Sequence, residues 1–257
     1  MLIKINHISK TFEGTVKETL QDINLEVENG EFICIVGPSG CGKSTLLNII
    51  AGLESATEGE VILNGKVVTK PGSDRVVMFQ EAALFPWLTV EDNVKFGMKM
   101  AGISKEEQQQ RAAKYLDMVQ LSEFRSYYPH EISGGMKQRT ALARALSLDS
   151  QVLLMDEPFS ALDKQTINML RSELEHIWEQ TGKTILFVTH SVEEAIYFAD
   201  RVVILSDNPG EIKDIIKISL KRPREIDNEE FIRIRKSILE KVRKEVEKIA
   251  ETEYKKK

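Results

Sequence analysis

The segment Gly37-Pro-Ser-Gly-Cys-Gly-Lys-Ser44 constrains the fold more than any other stretch of this chain. It follows Glu31-Phe-Ile-Cys-Ile-Val36, an apolar, β-branched run that reads as a buried strand, and it leads into residues 43–51, which read as a helix. The pattern G-x-x-x-x-G-K-[ST] in a strand–turn–helix context is a phosphate cradle. Gly37, Gly40 and Gly42 let the backbone turn its N–H groups inward, and the helix start adds its positive dipole end. Lys43 is a point charge suited to the β and γ phosphates of a nucleotide, and the Ser44 hydroxyl suits Mg2+. Ser39, Cys41 and Thr45, within and just after the cradle, complete the expected nucleotide contacts. A turn that served the fold alone would have no need of Lys-Ser at the helix start.

Two more buried strands end in chemistry. Val152 to Met155 stops at Asp156-Glu157, and Thr184 to Val188 stops at Thr189-His190. Functional groups at strand ends are what an open α/β sheet provides. Two acids closing an apolar strand are costly unless a cation or a reaction uses them. Asp156 is suited to holding Mg2+, directly or through water, and Glu157 to polarising the water that attacks a γ-phosphate. Leu2 to Ile8, Ile23 to Val27, and Val61 to Leu63 with Asn64-Gly65 as a turn read as short strands of a β layer. Residues 89–149 read as helical, with Leu116, Val119 and Leu121 set among polar residues. From about Asn228 to Ile249, Phe231, Ile234 or Arg235, Ile238, Val242, Val246 and Ile249 recur at three-to-four spacing, which predicts an amphipathic helix on the core. The terminal Lys255-Lys256-Lys257 reads as a frayed end.

Charge and composition exclude several classes. The net charge is -5, from 35 Lys and Arg against 40 Asp and Glu, so no bulk basic footprint points to nucleic acid. No apolar run approaches the ~18 residues of a membrane span, and the N-terminus lacks a secretory pattern, which predicts a cytoplasmic chain. Cys34 and Cys41 have no second pair to complete a zinc site or disulfide framework, and they read as one buried thiol and one loop thiol.

Ile132-Ser-Gly-Gly-Met-Lys-Gln-Arg139 resembles the signature motif of the ABC ATPases, a serine and two glycines offered to an anion at a helix start. Gln80 is similar to that family's Q-loop glutamine, Ser160-Ala-Leu-Asp163 to its D-loop, and His190 to its switch histidine, in family order over residues 1–215. The resemblance implies an α/β P-loop NTPase fold, with a RecA-like core, an N-terminal antiparallel β layer and an inserted helical subdomain. The implied organisation is an ATPase domain over residues 1–220, with core and β layer in 1–81 and 150–220 and the helical subdomain in 82–149. A C-terminal helical extension takes 221–257. The same resemblance implies that Gln80 senses Mg2+ and the attacking water, that His190 holds the γ-phosphate and orients Glu157, and that Asp163 couples two subunits. Ser133, Gly134 and Gly135 would face the nucleotide held by a second copy. Phe12 is similar in position to the family's adenine-stacking aromatic, with Val16 beside it, although a core Phe is the alternative. Met136 replaces the more familiar Gln of the signature, and Phe12 a more usual Tyr.

The function implied is an ATP-hydrolysing transport subunit working as a homodimer or pseudo-dimer. Pro129-His-Glu-Ile-Ser-Gly-Gly-Met-Lys-Gln-Arg and Phe187-Val-Thr-His-Ser-Val-Glu-Glu-Ala resemble the nitrate, sulfonate and taurine importer branch. Leu84, Phe85 and Trp87 around Pro86 are apolar residues in a loop, and such residues need burial. They either cover the helical part or form the groove for a cytoplasmic helix of a transmembrane permease, as the resemblance implies. A solute-binding protein would act indirectly, and the chain would sit peripherally on the cytoplasmic face of the membrane. The alternative is a non-transport ABC ATPase of nucleic acid or the ribosome. Those relatives carry long coiled-coil insertions or tandem nucleotide domains, and neither is present.

Overall fold

A computed structural model describes residues 1–160 and 162–254, with side chains through Glu245 and at Glu247. Ala161 of the expected D-loop, the side chains of Val246 and Ile249, and Lys255-Lys256-Lys257 lie outside the described residues. In chain order the strands are β1 (Ile3–Lys10), β2 (Leu20–Val27), β3 (Phe32–Val36), β4 (Glu58–Leu63), β5 (Lys66–Val67), β6 (Arg75–Met78), β7 (Val152–Asp156), β8 (Thr184–Val188), β9 (Arg201–Leu205) and β10 (Ile212–Lys217). The helices are α1 (Lys43–Ala51), α2 (Val90–Met100), α3 (Lys105–Met118), α4 (Gly134–Ser147), α5 (Lys164–Thr181), α6 (Val192–Phe198) and α7 (Glu229–Tyr254). They group into two units, Met1–Pro71 with Thr184–Lys257, and Gly72–Lys183.

In the first unit, β3 and β8 are buried at every position, as strands covered on both faces must be. They pair in parallel from Phe32 opposite Ile185 to Ile35 opposite Val188. On its other side β3 pairs in parallel with β9, and β10 runs antiparallel at the edge. Phe32 stacks on Phe198 of α6 at 5.1 Å between ring centroids, and Phe187 lies 5.5 Å from the same ring. A second sheet, in the order β2-β1-β4-β5, is antiparallel throughout. Its β4–β5 turn places Asn64 at φ 50° and Gly65 at φ 72°, the left-handed pair that a two-residue hairpin requires. The tail helix α7 packs beside α6 and buries Phe231 and Ile238 completely, while Ile234 and Val242 are half-buried.

In the second unit, β6 and β7 pair in parallel from Arg75 opposite Val152 to Met78 opposite Met155. Helices α2, α3 and α4 pack on one another, and Val94, Met98, Ala112, Leu116, Leu142 and Leu146 are buried. Short polar residues cap these helices. Thr89 accepts from the Asp92 N–H at 3.1 Å, Ser104 from the Glu107 N–H at 3.2 Å, and Ser133 from the Met136 N–H at 3.3 Å. Residues 89–149 contain no strand among the described residues, as their pattern predicts.

Candidate functional site

The phosphate cradle runs from the end of β3 to the start of α1, where its sequence context places it. Its shape is set by close approach. A Cβ on Gly42, whose φ is +96°, would lie 2.6 Å from Leu20 Cδ2 and 3.0 Å from the Thr19 carbonyl, so no larger residue fits there. Lys43 is only 4% exposed, and its ammonium donates to the carbonyls of Gly37 (3.0 Å) and Pro38 (2.7 Å) and lies 3.8 Å from Cys41 Sγ. A buried cation answered by carbonyls and a thiol still lacks an anion, which a phosphate supplies. Cys41 differs from expectation: it belongs to the loop yet is fully buried, because the loop folds over it, and that burial pushes its thiol pKa up. Ser44 is exposed at the helix start.

His190 follows β8 in the same unit and is exposed. Its turn is braced by a neighbour that the sequence did not single out. The Thr189 hydroxyl donates to the buried Glu194 carboxylate at 2.6 Å and accepts from the Ser191 N–H at 3.0 Å. Phe12 is 39% exposed, which removes the core alternative for it, and Val16 is fully exposed.

The second unit holds the remaining candidates. Asp156 ends β7, and its Oδ1 is buried without a hydrogen-bond partner. An unanswered buried acceptor costs about 1–3 kcal/mol, and a hard cation is the ligand that relieves it, so the carboxylate fits Mg2+. Glu157 sits at φ 47°, a conformation that turns the chain sharply away from the strand direction. Gln80 Nε2 donates to Glu157 Oε2 at 3.2 Å, so the structure brings these two candidates together. Ser133 is the N-cap of α4, with Gly134 and Gly135 as its first residues. A Cβ on Gly134 would meet nothing within 4 Å among the described residues, so their packing does not require glycine there. Asp163 caps α5, accepting from the Thr166 N–H at 3.0 Å and from its hydroxyl at 2.6 Å. The Thr166 hydroxyl bond holds its carboxyl below the usual aspartate range.

The loop after Gln80 is pinned by three residues that sequence reasoning passed over. Gln138 donates to the Gln80 carbonyl at 3.3 Å, and Arg144 donates to the carbonyls of Ala82 (2.8 Å) and Ala83 (2.9 Å). Asn93 accepts from the Phe85 N–H at 2.8 Å and donates to the carbonyls of Phe85, Leu88 and Thr89. Its signal was an amide on the apolar stripe of α2, between Val90 and Val94. The Phe85 ring lies 4.3 Å from that of Phe96, tilted by 44°, and 5.5 Å from Trp87, which is 70% exposed. Trp87, Leu88 and Phe96, together with polar residues that include Asp92, Lys95 and Lys99, line a cavity of about 490 Å³ beside the loop.

Strand, cradle and helix define the class: a P-loop ATPase of α/β fold. The profile of the ABC transporter family matches residues 20–160. An uncharacterized ABC transporter ATP-binding protein of Methanocaldococcus jannaschii is 52% identical over 246 residues, 95% of this chain and 92% of that one. An aliphatic sulfonates import ATP-binding protein of Bacillus cereus is 46% identical over 93% of this chain and 95% of its own length. A nitrate import ATP-binding protein of Synechocystis is 48% identical over 86% of this chain and 84% of its own. Among solved structures, an ATP-binding cassette dimer in a post-hydrolysis state bound to ADP and Pi aligns with a TM-score of 0.78 at 33% identity, covering 86% of this chain and all of that one. The chain belongs to the ABC transporter family, as one of its ATP-hydrolysing members. Among the described residues, no helix is long and apolar enough to cross a membrane.

Proposed function

We propose that this chain is the ATPase subunit of an importer for an oxyanion of the nitrate or sulfonate kind, and that it works as a pair on the cytoplasmic face of the membrane. Its relatives named for sulfonate and nitrate import support the direction and solute class. The observation that carries the reading is the open start of α4. Ser133 and Gly134 are exposed at a helix N-terminus, and the space at Gly134 is filled by nothing among the described residues. That end takes the nucleotide of a second copy, so each chain contributes to two sites.

ATP would lie with its adenine on Phe12, beside Val16, and its phosphates in the cradle. There Gly37, Ser39, Gly40, Cys41, Gly42 and Thr45 supply backbone N–H groups, and Lys43 exchanges its carbonyl partners for phosphate oxygens. Ser44, Asp156 and Gln80 would hold Mg2+, which when bound neutralises charge on the β and γ oxygens. Glu157 takes a proton from the attacking water, its carboxylate oriented by Gln80. His190 holds the γ-phosphate, on a turn kept in place by Thr189 and Glu194. Asp163 and the D-loop link the two copies.

A permease helix would dock on the exposed Trp87 and the cavity beside it, while the solute-binding protein acts through the permease. Residues 82–149 form the helical subdomain that carries this surface, residues 1–81 and 150–220 the core and β layer, and residues 221–257 the extension. Glu157→Gln tests the chemistry. ATP binding should persist, turnover should fall at least about a hundredfold, and a nucleotide-bound dimer should accumulate in sedimentation. Turnover at the wild-type rate refutes the assignment.

A further inference from the structure

Phe12 lies on the surface, yet its surroundings are built to hold it still. Its carbonyl accepts from the Thr15 N–H (3.1 Å) and hydroxyl (2.8 Å). The preceding Thr11 is clasped by Thr57, whose hydroxyl accepts from the Thr11 N–H at 3.0 Å and reaches its carbonyl at 3.3 Å. Beneath the ring is Lys10, the last residue of β1, with its ammonium 4.8 Å from the ring centroid. Lys10 is 9% exposed, which is rare for a lysine. Its ammonium donates to Glu54 Oε1 at 2.7 Å and to the Ser55 carbonyl at 2.8 Å. Glu54 and Ser55 lie just past the end of α1, the helix whose first residues close the phosphate cradle. The cation is therefore held over one face of an aromatic ring whose residue is 39% exposed.

We propose that Lys10 is a positioning residue for the nucleotide base: anchored by Glu54 and Ser55, its ammonium clamps one face of Phe12 and draws π density toward itself, leaving the opposite face prepared for a purine. A cation over a ring face stabilises the ring's placement. A face depleted of π density stacks better on an electron-rich base, because repulsion between the two π clouds is reduced. The anchor also explains how a Phe, which lacks the hydroxyl of a Tyr, keeps one orientation at a surface. This inference rests on the reading of Phe12 as the base platform.

The test separates base from phosphate. The full chain is titrated with the β,γ-imido analogue of ATP and with inorganic tripolyphosphate, which has no base. Lys10→Met should weaken the analogue about three- to tenfold and leave tripolyphosphate within about twofold. Lys10→Arg, which keeps a cation over the ring, should recover most of the loss. Equal weakening of both ligands would assign Lys10 to the structure of the loop alone and overturn the proposal, and so would no change in either. Phe12→Ala serves as the reference. If it removes the advantage of the analogue while Lys10→Met does not, the platform stands and the clamp falls. If Phe12→Ala changes neither ligand, the platform reading itself fails and carries the clamp with it. Glu54→Gln, which removes a charged partner of the ammonium without emptying the space, gives a second reading should Lys10→Met not fold. It is expected to weaken the analogue alone, by less than Lys10→Met, and parallel losses for both ligands would count against the clamp.

Discussion

At the scale of single residues, Lys43 shows how a binding site is made ready. Its ammonium is buried and turned onto the carbonyls of Gly37 and Pro38, the loop that it serves. These carbonyls satisfy its donors without cancelling its charge, so a phosphate group gains a charge-assisted bond where only dipoles stood before. Lys43→Ala is expected to weaken ATP binding at least about tenfold, since a hydrogen bond to a charged group contributes about 1.5–3 kcal/mol. An equilibrium titration with wild-type affinity, together with normal turnover, would refute the role. Gly42 and Gly134 make the complementary point. Gly42 is required by Leu20 and Thr19 pressing against it, whereas the space at Gly134 is open. On the proposed reading, that open space is where the second copy's nucleotide approaches.

At the scale of elements, α4 does two things at once. Its first residues carry the exposed serine and glycines, and further along Gln138 and Arg144 hold the carbonyls of Gln80, Ala82 and Ala83. Burial of Arg144 holds its pKa below the usual arginine value, and the Phe85 ring lies 5.8 Å from its guanidinium carbon. The other side of the loop hangs on Asn93, which is fully buried and bonded to Phe85, Leu88 and Thr89. Asn93→Leu keeps the volume but strands those backbone groups. It is expected to lower stability by about 2–4 kcal/mol, summed over the donors and acceptors left unpaired. Denaturant unfolding would show it as a lower midpoint, and an unchanged midpoint would mean that the loop does not depend on this amide. Because Trp87 projects from the same loop, the variant should also impair any permease contact there.

At the scale of the whole molecule, each unit carries its own share of the motifs. Phe12, the cradle and His190 belong to the first unit, and Gln80, Ser133, Asp156, Glu157 and Asp163 to the second. On the proposed reading, a second copy enters through Ser133. Ser133→Arg should leave ATP binding to a single copy nearly unchanged and prevent closure of the pair, because Ser133 is exposed and the substitution sets a long side chain at the helix end that the second copy's nucleotide would approach, with the loss within its own chain being the cap bond to the Met136 N–H. Sedimentation with ATP and Mg2+ decides it, and dimerisation at the wild-type level would count against the second-copy role. By itself the sequence determined the strand–cradle–helix unit, the buried strands β3, β7 and β8, the helical run from 89 to 149 and the tail helix. Those features depend on local periodicity, on glycine and on short motifs, all of which act over neighbouring residues. Only the tertiary structure decided that Cys41 is buried, that Phe12 is exposed with Lys10 beneath it, that Asn93 and Arg144 hold the loop after Gln80, and that Glu194 braces the turn of His190. The hydrogen bonds behind them join groups from four residues apart, Asn93 to Thr89, to sixty-two apart, Arg144 to Ala82. No local pattern encodes such a partner, because a buried lysine or asparagine looks the same in sequence as a solvated one until packing removes the water.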